Sequence, residues 1–331
     1  MLQLRSKPVI FESVFADDCR AFVDYKRTLG YKYKSEEWIL KHFDNLSASL
    51  NHSEKVLTKN LVEEFTALKP GEAPKSRSLR ASVMREFALY RRKRGGTDFL
   101  LPPGKQLLTQ FSPYIFTTDE INRFLYVADN IASTPISPYA HIVYPLLFKV
   151  LYCCGLRISE ALGLKRTDVD LNNGILLIKN SKFEKERIVT MSKSLTEACH
   201  DYAARIHTNY DYEYFFPAQD GGFIHKATVY CKYRNLLWKA GISHGGRGAG
   251  PRLHDFRHTF AVHCLNNWVK NGRDAYVLLP SLCAYLGHSH ITNTEQYLRL
   301  VPEMHGTVIT LSNAAFPNII PTIPPELWEV E

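Results

Sequence analysis

Four short segments of the 331-residue chain hold side chains that could do chemistry together. They are Gly155-Leu-Arg157-Ile-Ser-Glu160, the polar turn Asn180 to Lys185 with Lys182 in it, His254-Asp-Phe-Arg257-His258, and Leu286-Gly-His288 with Tyr297 nine residues further on. Two arginines, two or three histidines, a lysine and a tyrosine, without a carboxylate cluster, suit phosphoryl transfer without a metal. Arg forks match phosphate oxygens two at a time and keep their charge. They would stabilise the added negative charge of a five-coordinate phosphorus. His254 and Arg257 lie three apart on an expected helix, so both can face one phosphate. A tyrosine hydroxyl, with an ordinary pKa of about 10, needs cations or a base beside it before it attacks. A lysine can protonate the departing alkoxide as general acid.

Taken singly, each of these residues has a commoner structural use. Arg157 and Arg257 could be ion-pair arginines, His254 a packed or capping histidine, and His288 a helix C-terminal cap. Tyr297 could be a core tyrosine and Lys182 surface decoration. Their joint order and spacing carries the reading. The metal alternative is a zinc site, because His254 and His258 are four apart and His288 and His290 lie near. Such a site needs a third ligand and a Glu base, and Arg257 inside the motif disfavours a dication. No metal and no cofactor is expected.

The elements that must position these residues can be read from periodicity. Apolar residues recur at three- and four-residue steps over 17–69, and 76–93 reads as a further helix. In that helix Leu79, Val83, Phe87 and Tyr90 form the apolar stripe, with Arg77, Arg80, Arg91 and Lys93 largely off it. Gly95-Gly96 and Pro102-Pro103-Gly104 punctuate the chain, and Thr117 or Thr118 before Glu120 is an N-cap signal. Helical patterns follow at 118–132 and 138–154. Residues 174–179 and 186–190 read as two strands around the Lys182 turn. Helices resume at 194–208, 226–240, 253–270, 274–287 and 290–300. The fold class is therefore mainly α with a small β-hairpin or sheet: a helical N-terminal domain over 1–100, a linker 101–116, an α+β domain over 117–311, and a tail 312–331.

Composition narrows the function classes. Apolar residues make up 45% and charged residues 22%, so a disordered or collagen-like chain is excluded. The net charge of +8 is unevenly spread: residues 1–105 hold 20 basic against 13 acidic side chains, and 106–331 hold 21 against 20. That asymmetry suggests a polyanion-gripping module joined to something else. No run of 18 apolar residues and no signal peptide is read, so no membrane partner is expected. Seven scattered cysteines without a C-x-x-C pair fit reduced thiols in the cytoplasm.

Over GLRISEALGLKRTDVDL, HDFRHTFA and LGHSHITNTEQY the sequence resembles the tyrosine recombinases, also called phage integrases. The resemblance extends over nearly the whole chain and looks most like the mobile-element integrases. It implies that Arg157 is the first active-site arginine and Glu160 the acidic residue bracing it. Lys182 matches the hairpin lysine acting as general acid, with Lys179 and Lys185 as alternatives. His254 and Arg257 match the His-x-x-Arg box, with His258 in support. His288 matches the second histidine and Tyr297 the nucleophile. It further implies a 3′-phosphotyrosine intermediate, a Holliday junction, and four protomers on two double-stranded DNA sites, with an accessory or partner recombinase possible. Residues of about 10–100 resemble the SAM-like core-binding domain, which with the catalytic domain would form a C-shaped clamp. On that reading Arg77 and Arg80 contact phosphates, as could Arg247 and Arg252 in the Gly-rich loop 241–252. Phe316, Ile319, Ile320, Ile323 and Trp328 of the tail could dock on a neighbouring protomer. An Xer-like resolvase of chromosome dimers, a non-catalytic junction binder and a type IB topoisomerase are the alternatives.

Overall fold

The computed structural model describes residues 9–104, 113–179, 186–208, 211–246 and 250–301. The chain divides into two compact units, Met1–Gln110 and Phe111–Glu331. The fold is mainly α with one small antiparallel sheet. Among the described residues no helix is long and apolar enough to cross a membrane.

Among its described residues the first unit has four helices: α1 (Ala16–Thr28), α2 (Lys34–Ser49), α3 (Lys59–Thr66) and α4 (Pro74–Arg92). Pro74 starts α4 where a missing N–H costs nothing. Phenylalanines from every element meet in the core, with Phe22–Phe87, Phe15–Phe43 and Phe43–Phe65 rings each 5.4 Å apart. The α4 stripe differs from the one expected. Leu79 is 45% exposed, whereas Arg80 and Arg91 are buried beside Val83, Met84 and Phe87. The physical reason is pairing. Arg80 forks onto both oxygens of Glu72 (2.6 and 2.9 Å) and donates to Ala67 O at the end of α3 (2.8 Å). Arg91 bonds Asp98 (2.9 Å), Lys55 O (2.7 Å) and Asp18, with its guanidinium over the Phe15 ring. Arg80 is thus an internal strut, its guanidinium engaged by Glu72 and Ala67 rather than lying on the outer face expected for it. Arg77 is exposed, with its Nε donating to Thr66 O (3.0 Å).

The second unit begins with α5 (Thr118–Asp129), whose Thr117–Glu120 capping box is formed in both directions. There follow α6 (Ala140–Cys153), a short α7 (Ile158–Leu162), β1 (Val169–Asp170), β2 (Ile175–Ile178) and β3 (Arg187–Thr190). β1 adds a third strand to the expected hairpin, giving an antiparallel sheet of order β1-β2-β3 in which Ile178 faces Arg187. Helices α8 (Lys193–Ile206), α9 (Lys226–Lys239), α10 (Asp255–Lys270) and α11 (Ala275–Leu286) complete the body. Phe116, Phe124, Phe148, Tyr233 and Phe256 fill the main core. A second cluster, from α10, α11, Tyr297, Leu298 and Val301, seats the C-terminal segment. The continuous helix expected over 290–300 is instead a four-residue α12 (Thr292–Glu295) and a 3₁₀ turn (Leu298–Leu300). Ile291, Thr292, Asn293 and Thr294 are all weak helix formers.

Candidate active site

The C-terminal end of α11 organises the site. Helix ends leave carbonyls without intrahelical partners and carry partial negative charge. Here Gly287 N–H bonds Ala284 O (3.0 Å) and His288 N–H bonds Cys283 O (3.1 Å), the crossed pattern of a Schellman cap. The next three carbonyls each accept from an arginine. Arg187 Nε donates to Tyr285 O (2.9 Å), Arg257 Nη2 to Leu286 O (2.5 Å) and Arg157 Nη2 to Gly287 O (3.4 Å). Gly287 has φ +66°, and a Cβ there would stand 2.9 Å from the Arg187 side chain, so any other residue would be strained and would push on Arg187. Arg257 also reaches Gly155 O at the end of α6 (2.8 Å). Its Nε is buried without a hydrogen-bond partner among the described residues.

Glu160 is the carboxylate that Arg157 and Arg187 share. The short α7 is capped by Arg157, whose N–H bonds Glu160 Oε2 (2.9 Å) while its Nη1 bonds Oε1 (2.7 Å). Arg187, on β3, forks onto the same two oxygens at 3.0 and 2.8 Å. Burial alone would raise the Glu160 pKa, but the Arg187 fork and charge and the Arg157 bonds outweigh it and hold it near 2. Burial and the Arg157 charge pull Arg257 down to about 9, which leaves it protonated at neutral pH.

The histidines stand around Tyr297. His254 caps α10, ahead of its first turn rather than on it, with its ring edge-on to His258 (4.8 Å, 88°). The Tyr297 hydroxyl lies 2.8 Å from His258 Nδ1, and Tyr297 is only 1% exposed. Burial pushes the Tyr297 hydroxyl up to about 12, against the lowering effect of Arg257 and Arg157. Burial and the Arg252 and Arg257 charges bring His258 down to about 4. It is therefore neutral at pH 7, and its Nδ1 lone pair can accept the tyrosine proton. Desolvation and nearby cations likewise bring His254 to about 4 and His288 to about 3. His288 Nδ1 is 2.7 Å from the hydroxyl of fully buried Thr294. A Thr294 O–H donated to Nδ1 leaves the Nε2–H of neutral His288 as the outward donor.

The family model described as the phage integrase family matches residues 115–304. The chain belongs to this family, the tyrosine recombinases. It is similar to the predicted integrase/recombinase y4rB of Sinorhizobium fredii, at 30% identity over 309 residues, 88% of this chain and 95% of that one. It also resembles the tyrosine recombinase XerC of Chlorobaculum tepidum, at 34% over 158 residues covering 46% of this chain and 43% of that one. Among solved structures, the XerH site-specific recombinase bound to palindromic difH substrate aligns with TM-score 0.62 and 19% identity, over 86% of this chain and 78% of that chain. The Tn1549 transposon integrase in complex with transposon right end DNA aligns with TM-score 0.60 and 16% identity, over 85% of this chain and 94% of that chain. Those two likenesses speak for the fold.

The structure thus brings Arg157, Glu160, His254, Arg257, His258, His288 and Tyr297 together around the end of α11. Lys182, Lys185 and Arg247 lie outside the described residues, as does the tail from 302 onward. Lys179 is engaged with Asp168 (2.6 Å). Arg252 anchors the start of α10, its N–H on Asp255 Oδ2 (2.7 Å) and its Nη2 on Oδ1 (3.3 Å), and its side chain is 44% exposed. Two residues of the site escaped the sequence reading, Arg187 and Thr294. Arg187 carried a weak signal, an arginine on a strand directly after the lysine-bearing turn.

Proposed function

We propose that the protein is a site-specific DNA recombinase that cleaves and rejoins DNA through Tyr297. The observation that carries this reading is the buried Tyr297 hydroxyl on a neutral histidine, beside two arginines fixed by backbone carbonyls. In the cleavage step Tyr297 Oη attacks the phosphorus as its proton passes to His258 Nδ1. The phosphorus–O5′ bond breaks, and Lys182 supplies the proton to the departing 5′ oxygen. Arg157 and Arg257 hold the non-bridging oxygens, and the Nε2–H groups of His254 and His288 donate to them. A 3′-phosphotyrosine results. A partner strand's 5′ hydroxyl then attacks it, reversing every proton transfer. One ester is exchanged for another at each step, so neither ATP nor a metal is required.

The full exchange uses four protomers on two duplexes and passes through a Holliday junction, serving integration and excision of a mobile element. The near end-to-end match to the S. fredii integrase/recombinase supports this role. The Xer resolvase reading is the second, favoured by the C. tepidum XerC likeness across the catalytic segment. The solved relatives in complex with DNA support a duplex substrate, with Arg77, Arg247 and Arg252 contributing phosphate contacts. The test is a nicked suicide duplex, of a sequence the protein selects from a randomised pool. The parent should form a covalent protein–DNA adduct with or without a chelator, and Tyr297→Phe should form none. An adduct that persists in Tyr297→Phe would remove the proposed nucleophile.

A further inference from the structure

Arg187 bonds Glu160, which also holds Arg157, and lies against the end of α11 at Tyr285 and Gly287. We propose that Arg187 is a positioning residue for DNA cleavage, holding Arg157 in its phosphate-binding pose through the shared carboxylate of Glu160. The inference rests on the reading of Arg157 given above and deepens it.

Three observations carry it. First, each Glu160 oxygen accepts one bond from Arg187 and one from Arg157: Oε1 at 3.0 and 2.7 Å, Oε2 at 2.8 and 2.9 Å. The carboxylate is therefore a divided clamp, and its orientation is set from both sides. Second, Arg187 Nε holds Tyr285 O, the carbonyl next to the one that holds Arg257. Third, the Arg187 side chain lies so close to Gly287 that a Cβ would meet Cδ at 2.9 Å and Nη1 at 3.0 Å. It therefore packs on the residue that delivers His288. The competing role, a pin for β3, needs no guanidinium. β3 is already paired with β2 over four residue pairs, and Val189 is fully buried. Without Arg187, Glu160 would hold its lone pairs against Arg157 alone. The Arg157 guanidinium would then be drawn inward, away from the phosphate.

The experiment measures single-turnover adduct formation on the suicide duplex described above, DNA affinity, and melting temperature, for Arg187→Met, Glu160→Gln and the double variant. Arg187→Met should cleave roughly 10–100-fold more slowly while binding DNA within about threefold of the parent. The double variant should cleave no more slowly than Glu160→Gln alone, because one clamp is lost in both. Multiplied losses in the double variant, or cleavage by folded Arg187→Met within about threefold of the parent, would overturn the proposal. Should Arg187→Met not fold, Arg187→Lys keeps one charge on Glu160 but loses the fork. A rate loss of at least about fivefold at near-parent melting temperature then supports the proposal, and a parent-like rate overturns it. A parent protein that binds the duplex but forms no adduct overturns the reading of the site itself. A parent that forms it normally, with Arg187→Met its equal, overturns only the role of Arg187.

Discussion

Both units bury arginines, and they use them in opposite ways. In the first unit Arg80 meets Glu72, and Arg91 meets Asp18 and Asp98, so each cation is neutralised by carboxylate. In the second unit Arg157 and Arg187 share one carboxylate, Glu160, while Arg257 bonds the carbonyls of Gly155 and Leu286. Carbonyls fix a guanidinium without cancelling its charge. The first arrangement is glue, whereas the second leaves a net positive charge, the feature on which the proposed phosphate binding rests. The total charge of +8 cannot separate these uses, because it counts both alike.

Removing one arginine from each unit separates the two uses most sharply. Arg257→Met should cut single-turnover cleavage by roughly 10²–10³-fold, the scale of losing one preorganised donor to a developing oxyanion. Arg91→Met strands the buried Asp98 carboxylate and should cost about 3–5 kcal/mol of stability in the first unit, read as a fall in melting temperature. Its cleavage rate per folded molecule should stay within about threefold of the parent.

A second test acts on the geometry rather than the charge. Gly287→Ala must take an unfavourable positive φ and push on Arg187. It should lower cleavage roughly 10–100-fold with DNA binding largely kept. Thr294→Val keeps shape and loses the hydroxyl on His288. We expect about tenfold slower cleavage, restored by Thr294→Ser, and a stability change near 1 kcal/mol.

Much of this was legible in the residues themselves. The capping box at Thr117–Glu120, the two strands flanking Lys182 and the spacing from His288 to Tyr297 are local patterns, and local patterns survive in sequence. Arg187 was not legible as a site residue, because Glu160 is 27 positions away and Tyr285 is 98. Arg80 and Arg91 look like outer-face residues in sequence because the carboxylates that let them be buried, Glu72, Asp18 and Asp98, lie elsewhere in the chain. By helical spacing Arg80, Val83, Met84, Phe87 and Arg91 share one row, and Leu79 lies beside it. Thr294 was one of several weak helix formers until its hydroxyl met His288.

Acid should separate the units too. His258 and His288 have native values near 4 and 3, below their ordinary value of about 6.5. The unfolded chain therefore takes up protons first, and stability falls as pH drops from about 6.5 toward 4. The Glu160 contribution, with its native value near 2, is lost only at still lower pH. The melting temperature of the second unit should fall by roughly 5–10 °C between pH 7 and 5, while the first unit should move little. The gentlest effect is on salt. Arg77→Ala should reduce the slope of log affinity against log salt by about one, with cleavage at saturating protein unchanged.

The most direct measurement compares adduct formation by Arg257→Met and Arg91→Met on one suicide duplex, below both melting temperatures. The expected result is a loss of two to three orders of magnitude in the first and near-parent cleavage in the second. Parent-like cleavage by Arg257→Met, or an equal loss in both, would contradict it.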